Sequence, residues 1–177
     1  MEFGTENFFL QHQGQNTHGL CFFPKNCKAL GIFSHGFTSH KGDLLNWAQN
    51  LVPLGMAVAI FDLPGHRLGN FSEVPDLETF KRSAQDLFVQ AHEVLTEKMR
   101  NHCSMSVTVK GKLPLVLGGH SLGALLALKA ISSMAFRKHS KRWAVGVGLG
   151  LSEPGTEHIF TTPLFASCPE IDDSLIG

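Results

Sequence analysis

The chain has 177 residues, of which 43% are hydrophobic and 17% are charged, and its 15 basic and 15 acidic side chains leave no net charge. This length fits one domain with a sizeable core, and the balanced charge argues against a nucleic-acid-binding protein. No apolar run approaches the roughly 20 residues that cross a membrane, and no signal peptide is visible at the start. We therefore expect a soluble, cytoplasmic protein without a membrane span.

Short β-rich runs alternate along the chain with longer segments of helical period. Strands are predicted at Phe8–Gln11, Gly19–Phe23, Ala29–Ser34, Met56–Asp62, Leu113–Gly118 and Ala144–Leu151, and helices at Gly42–Leu54, Leu77–Asn101 and Leu122–Met134. Gly55 is placed to cap the first helix, and Asp76 to cap the second. Residues 63–75 contain glycine and proline and are predicted to be loop.

Strands that alternate with helices predict βαβ crossovers, hence a mostly parallel sheet with helices on both faces. We expect residues 1–177 to form a single, partial domain of this three-layer α/β/α class. Residues 152–177 show no period and are expected to be an irregular tail or the start of a cap. In such sheets, functional groups gather at the carboxyl ends of the strands.

The four cysteines are Cys21, Cys27, Cys103 and Cys168. Without an export signal they are expected to be reduced thiols. Because no CxxC pair occurs, a zinc site built on thiolates is not expected. The ten histidines are scattered, and the five-residue spacing of His35 and His40 suits no helical metal face. We expect neither a metal nor a cofactor.

The motif that carries chemistry is Gly119-His120-Ser121-Leu122-Gly123, which follows a predicted strand and opens a helix. Glycines on both sides give room for a serine at a sharp turn, and the start of a helix favours developing negative charge. These features make Ser121 the candidate nucleophile. The simpler alternative is that the glycines only build a strand–helix turn.

Three ordered motifs carry a resemblance to a known family: His35-Gly36-Phe37, Asp62-Leu63-Pro64-Gly65-His66 and Gly119–Gly123. With them, residues 29–151 resemble the α/β-hydrolase superfamily, in particular esterase, lipase and serine-aminopeptidase-like members with an HGF-type oxyanion loop, including cinnamoyl and feruloyl esterases. Arg67 stands where the family often has glycine. The resemblance implies hydrolysis of a small carboxylic ester or thioester through an acyl-enzyme on Ser121.

The same architecture implies an oxyanion hole built from two backbone N–H groups. One belongs to Leu122, the residue after the serine, and the other comes from the loop after the third strand, where Phe37 is our candidate. Two such donors stabilise the tetrahedral intermediate. The alternative for the Phe37 loop is a tight turn with a stacking aromatic ring.

The superfamily places its triad acid and histidine after the serine, following the last two strands of an eight-stranded sheet, whereas about six strands are predicted here. The downstream candidates are His139, His158, Glu153, Glu157, Glu170, Asp172 and Asp173. We expect His139 to lie at the surface; His158 follows the sixth strand on the active-site side and is the alternative candidate for the base. The preferred interpretation is a hydrolase that lacks its C-terminal strands, acid and base, and is impaired for that reason.

The alternative is a non-catalytic hydrolase-like domain, or a fragment completed by a partner. A buried parallel strand left at a sheet edge carries unpaired backbone groups, so we also expect self-association through that edge.

Overall fold

The computed structural model describes residues 3–12, 15–36, 39–64, 77–103 and 113–148. Within them, six strands form one sheet: β1 (Gly4–His12), β2 (Gln15–Phe23), β3 (Ala29–Ser34), β4 (Met56–Phe61), β5 (Leu115–His120) and β6 (Arg142–Val147). Their order across the sheet is β1-β2-β4-β3-β5-β6. β2 pairs antiparallel with β1 and β4, while β4, β3, β5 and β6 run parallel. The predicted mostly parallel sheet is confirmed.

Helices cover both faces of this sheet. They are α1 (Leu45–Leu51), α2 (Leu77–His102) and α3 (Leu122–Ala130), and short 3₁₀ turns lie at Lys41–Leu44, Val52–Leu54 and Met134–Phe136. On one face, Leu44 and Ala48 pack with Phe33 in one core cluster. On the other, Leu95 and Leu126 of α2 and α3 belong to a second cluster. The predicted three-layer arrangement is confirmed.

The central strand β4 shows why the parallel region forms. Ala57–Phe61 is an apolar run in which every residue is fully buried. A strand that has helices on both faces buries both sets of alternating side chains, and so it needs such a run. Gly55 precedes this strand at φ 94°, and its N–H binds the Val52 carbonyl, so the predicted glycine cap of the preceding helical segment is confirmed.

Some element boundaries differ from the prediction. β1 and β2 form a longer hairpin in which His12 pairs with Gln15, whereas the first predicted strand ends at Gln11 and the second begins only at Gly19. Polar side chains are common on strands near a sheet edge, so polarity alone does not mark a turn there.

The first helical segment is divided into 3₁₀, α and 3₁₀ pieces rather than being one continuous helix. α3 ends at Ala130 rather than at Met134, and the Ser133 side chain accepts the Ala135 N–H to start a separate 3₁₀ turn. β6 begins at Arg142, two residues earlier than predicted. The predicted cap at Asp76, the loop from Gly65 to Pro75 and the tail after residue 151 lie outside the described residues.

Candidate active site

Ser121 lies on the turn between β5 and α3, at the carboxyl edge of the sheet. Its backbone has φ 49° and ψ −115°, and it is the one non-glycine residue with positive φ in the described part of the chain. The turn is held on both sides: the Ser121 N–H donates to Val147 O at 2.9 Å, and Ser121 O accepts from Ala124 N at 2.9 Å. A serine is thus kept in a conformation that L-residues rarely adopt.

The two glycines of the motif are required by close backbone approaches, and the closest of these is to the same atom for both. A Cβ on Gly119 would lie 2.2 Å from the Ser34 carbonyl oxygen, and a Cβ on Gly123 would lie 2.2 Å from the same atom. Both distances are far inside van der Waals contact. Only residues without a side chain let β3, β5 and the first turn of α3 meet at this point.

The loop that follows β3 passes directly beside the serine. A Cβ on Gly36 would lie 3.1 Å from Ser121 Cβ and 2.8 Å from His120 Nδ1. Leu122 is the first residue of α3 and is buried, and an N–H at this position has no acceptor within the helix. Phe37 lies outside the described residues, so the donor expected from it stays a prediction.

His35 ties the ends of β3 and β4 together. The ring is fully buried, and its Nε2 accepts the Leu63 N–H at 2.9 Å, while Nδ1 lies 2.8 Å from Gly36 O. Because Nε2 is the acceptor, the ring is neutral, with its proton on Nδ1 and donated to the Gly36 carbonyl. His35 therefore holds the Gly36 backbone in place beside Ser121.

Asp62 adds a second tie next to this histidine. Its carboxylate is buried and accepts both the Lys41 backbone N–H, at 2.7 Å, and the Lys41 ammonium. One carboxylate oxygen lies 3.8 Å from His35 Nε2. Lys41 begins the helical segment after the β3 loop, so the Lys41–Asp62 pair fixes this end of the loop to the end of β4, while His35 fixes the other end through Leu63. From the sequence, His35 and Asp62 stand out only as motif members, and no pattern there points to Lys41.

A hollow of about 510 Å³ opens at this edge of the sheet. Its lining consists of His35, Ser39, Asp43, Leu44, Trp47, His120 and Val147. Apolar side chains from the α1 side thus face the imidazole of the residue that precedes Ser121. The hollow has the mixed apolar and polar lining that small-molecule sites commonly have.

His139 contradicts its prediction as a surface residue. It is 8% exposed and lies at the opposite end of β5 from Ser121, with Nδ1 2.8 Å from Leu113 O and Nε2 2.8 Å from His92 Nε2. Burial, together with the nearby His139 and Lys138 charges, lowers the pKa of His92 to about 4, and burial also lowers the pKa of His139. This is a packed histidine pair remote from the serine.

The other proposed partners of the serine, namely His158, Glu153, Glu157, Glu170, Asp172 and Asp173, lie outside the described residues. In the part of the chain that the structure describes, no histidine is hydrogen bonded to the Ser121 hydroxyl. The same part contains no group of three or more metal-ligating side chains that could hold an ion. Nor does any described helix have the length and apolar character needed to cross a membrane.

The strand order, the helices on both faces and the serine at the strand–helix turn define an α/β hydrolase, as the resemblance implied. Residues 25–150 match the family model described as serine aminopeptidase, S33. This match covers well over half of the chain, and the chain therefore belongs to that family.

Solved structures confirm the fold. A thermostable carboxyl esterase from Bacillus coagulans matches with a TM-score of 0.53 and 19% identity, over 73% of this chain and 40% of that one. An esterase from an Arctic intertidal metagenomic library matches with a TM-score of 0.50 and 20% identity, over 86% of this chain and 62% of that one. A putative dienelactone hydrolase from Klebsiella pneumoniae matches with a TM-score of 0.51 and 14% identity, over 84% of this chain and 62% of that one. The chain thus spans less than two thirds of the length of these structures. No curated protein sequence matches it.

Proposed function

We propose that this chain carries the nucleophile of a serine hydrolase that cleaves small carboxylic esters or thioesters through an acyl-enzyme on Ser121. The observation that carries this proposal is the Ser121 backbone at φ 49°, kept there while Gly119 and Gly123 make room for it. Strained backbone of this kind concentrates at functional sites, because a fold without a use for it would relax.

The chemistry proposed for the site begins with attack of Ser121 Oγ on the acyl carbon. The carbonyl oxygen becomes an oxyanion, which the N–H groups of Leu122 and Phe37 would hold, and the positive end of the α3 dipole favours this charge. Collapse of the intermediate expels the alcohol or thiol and leaves the acyl group on Ser121. Water then releases the acid and regenerates the serine.

Attack also requires a base for the hydroxyl proton. Both ring nitrogens of His35 are engaged in the loop, and the His92–His139 pair lies at the other end of β5. A histidine base contributes typically about 10²–10⁴-fold in rate. We therefore propose that the 177-residue chain hydrolyses activated esters weakly or not at all.

A fluorophosphonate probe tests the nucleophile and the missing base separately. We expect slow labelling of the full chain, lost in Ser121→Ala, together with little turnover of a p-nitrophenyl ester. Labelling that persists in Ser121→Ala would refute the nucleophile assignment. Robust turnover abolished by His158→Ala would refute the proposed impairment, and would show that the region after β6 supplies the base.

A second candidate function is that of a hydrolase-like domain completed by another copy of itself. The observation in its favour is β6, an edge strand in the described sheet with Trp143, Val145 and Val147 exposed by 43–48%. Open strand edges with apolar side chains promote pairing between chains. Sedimentation velocity should show concentration-dependent association that Val145→Lys weakens. Leu54→Lys, at an exposed site on the α1 side, is the matched control. A monodisperse monomer at high concentration would exclude this function.

A further inference from the structure

A second hollow opens at the amino ends of β3 and β4, at the edge of the sheet opposite to Ser121. One wall is the turn between β2 and β3, which carries Lys25 and Lys28, and the other is the Val52–Leu54 turn before β4. Its volume is about 420 Å³, and small-molecule sites commonly measure roughly 300–1,000 Å³. Its size therefore suits a small ligand, and we call it the amino-end hollow.

Apolar side chains form much of the lining of this hollow. Phe3 and Leu54 belong to the lining and are 39% and 73% exposed. Val52, which also lines the hollow, is buried and belongs to the same core cluster as Phe22, whose ring centre lies 6.2 Å from that of Phe3. The apolar surface of the hollow is thus continuous with the core on the α1 side. An apolar ligand would cover side chains that water now contacts.

The charged side chains of the lining are both positive. Lys25 and Lys28 are exposed, and in the described part of the chain neither ammonium group has a carboxylate within ion-pair distance. Glu6, the acidic residue of β1, binds Lys98 and His102 of α2 instead. Two cations without an acidic partner give this hollow a positive potential, which favours an anionic ligand.

The two walls of the hollow are tied to each other by the backbone. The Lys28 N–H donates to Gly55 O at 2.7 Å, and the Gly55 N–H donates to Val52 O at 2.9 Å. A Cβ on Gly55 would lie 3.1 Å from Lys28 Cδ, so the lysine stem runs across this glycine. Lysine commonly lays its methylenes on the protein and keeps its ammonium group in water. The hollow is therefore formed in advance, which lowers the cost of ordering on binding.

We propose that the amino-end hollow binds the anion of a medium-chain fatty acid, with the carboxylate at Lys25 and Lys28 and the alkyl chain over Phe3 and Leu54. The two kinds of lining account for the two parts of this ligand. A purely ionic ligand would leave Phe3 and Leu54 in water, and a purely apolar ligand would gain nothing from the lysines. The site lies at the opposite edge of the sheet from Ser121 and takes no part in the proposed hydrolysis.

Isothermal titration calorimetry on the full chain tests the proposal with decanoate, kept below its micelle concentration. Decanoate should bind at one site, and added salt should weaken its binding because both lysines are exposed. Decyltrimethylammonium has a similar alkyl chain and the opposite charge. It should bind at least about tenfold more weakly, since each exposed ion pair contributes up to about fivefold in affinity.

A matched pair of double variants tests the role of the lysines. Lys25→Gln with Lys28→Gln should weaken decanoate binding by about tenfold. Arg137→Gln with Lys138→Gln removes the same charge from exposed positions beyond α3, and should leave the affinity unchanged. Leu54→Asp, at an exposed position where the fold tolerates a polar side chain, sets an anion beside the alkyl chain and should abolish binding.

The outcomes that would overturn the proposal are distinct from those that concern the proposed nucleophile. Equal decanoate affinity in the two double variants would show that binding does not depend on the lysines of the hollow. Equal affinity for decanoate and decyltrimethylammonium, or no binding by the parent chain, would overturn the proposal as well. Ser121→Ala should bind decanoate as the parent chain does, so the test stands whether or not Ser121 is a nucleophile.

Discussion

Replacing Ser121 by glycine should stabilise the fold, although it removes the proposed nucleophile. The serine is held at φ 49° and ψ −115°, and such a conformation costs a non-glycine residue about 1–3 kcal/mol. Glycine adopts it without that cost but loses about 0.5–1 kcal/mol more chain entropy on folding. The net expectation for Ser121→Gly is a gain of about 1 kcal/mol in the free energy of unfolding.

Ser121→Ala is the matched control, because alanine also lacks the hydroxyl but keeps the Cβ that makes this backbone unfavourable. Reversible urea unfolding followed by circular dichroism should order the variants with glycine above alanine. The corresponding difference in unfolding temperature is about 2–4 °C for a chain of this size. If Ser121→Gly unfolds at the same urea concentration as Ser121→Ala, or earlier, the turn stores no strain and the reasoning about this backbone is wrong.

Two further predictions concern packing and pH. Gly123→Ala should lower the free energy of unfolding by about 2 kcal/mol, because the clash of a Cβ 2.2 Å from Ser34 O outweighs the roughly 1 kcal/mol that alanine gains in a helix. If the variant is as stable as the parent chain in urea unfolding, α3 can move away from β3. The pKa of His92 in the folded chain is about 4, below its ordinary 6.5. Between these two pH values the unfolded chain binds more protons than the folded chain. The free energy of unfolding should therefore fall by about 3 kcal/mol as the pH drops from 6.5 to 4. His92→Gln should flatten this fall in urea titrations, and an unchanged slope would assign the acid sensitivity to other groups.

The alternation of strands and helices was readable from the sequence because the core imposes it. Ala57–Phe61 must be apolar throughout to lie between two layers, and Gly119 and Gly123 must lack side chains to let β3 approach. These are local requirements, and each leaves a local pattern. The position of Ser121 could therefore be predicted to the residue.

The missed features depend on contacts between distant segments. Lys41, at the start of the helical segment after β3, meets Asp62 after the end of β4, and His139, in the bend before β6, meets His92 of α2. Neither a lysine after a glycine-containing loop nor a histidine in a basic run indicates its partner. Such pairings follow from how the layers close on each other, which single-sequence periodicity does not encode.

The Ser34 carbonyl oxygen has a consequence for how this motif can change over evolutionary time. A Cβ at Gly119 or at Gly123 would lie 2.2 Å from this atom, but a Cβ at Gly119 would also lie 2.6 Å from the Gly123 carbonyl carbon, which belongs to α3. A shift of β3 large enough to admit a methyl group at Gly123 would therefore still leave a methyl group at Gly119 against the backbone of α3. The two positions should therefore be only partly coupled in evolution: a lineage that accommodates a side chain at Gly123 by moving β3 still needs glycine at Gly119.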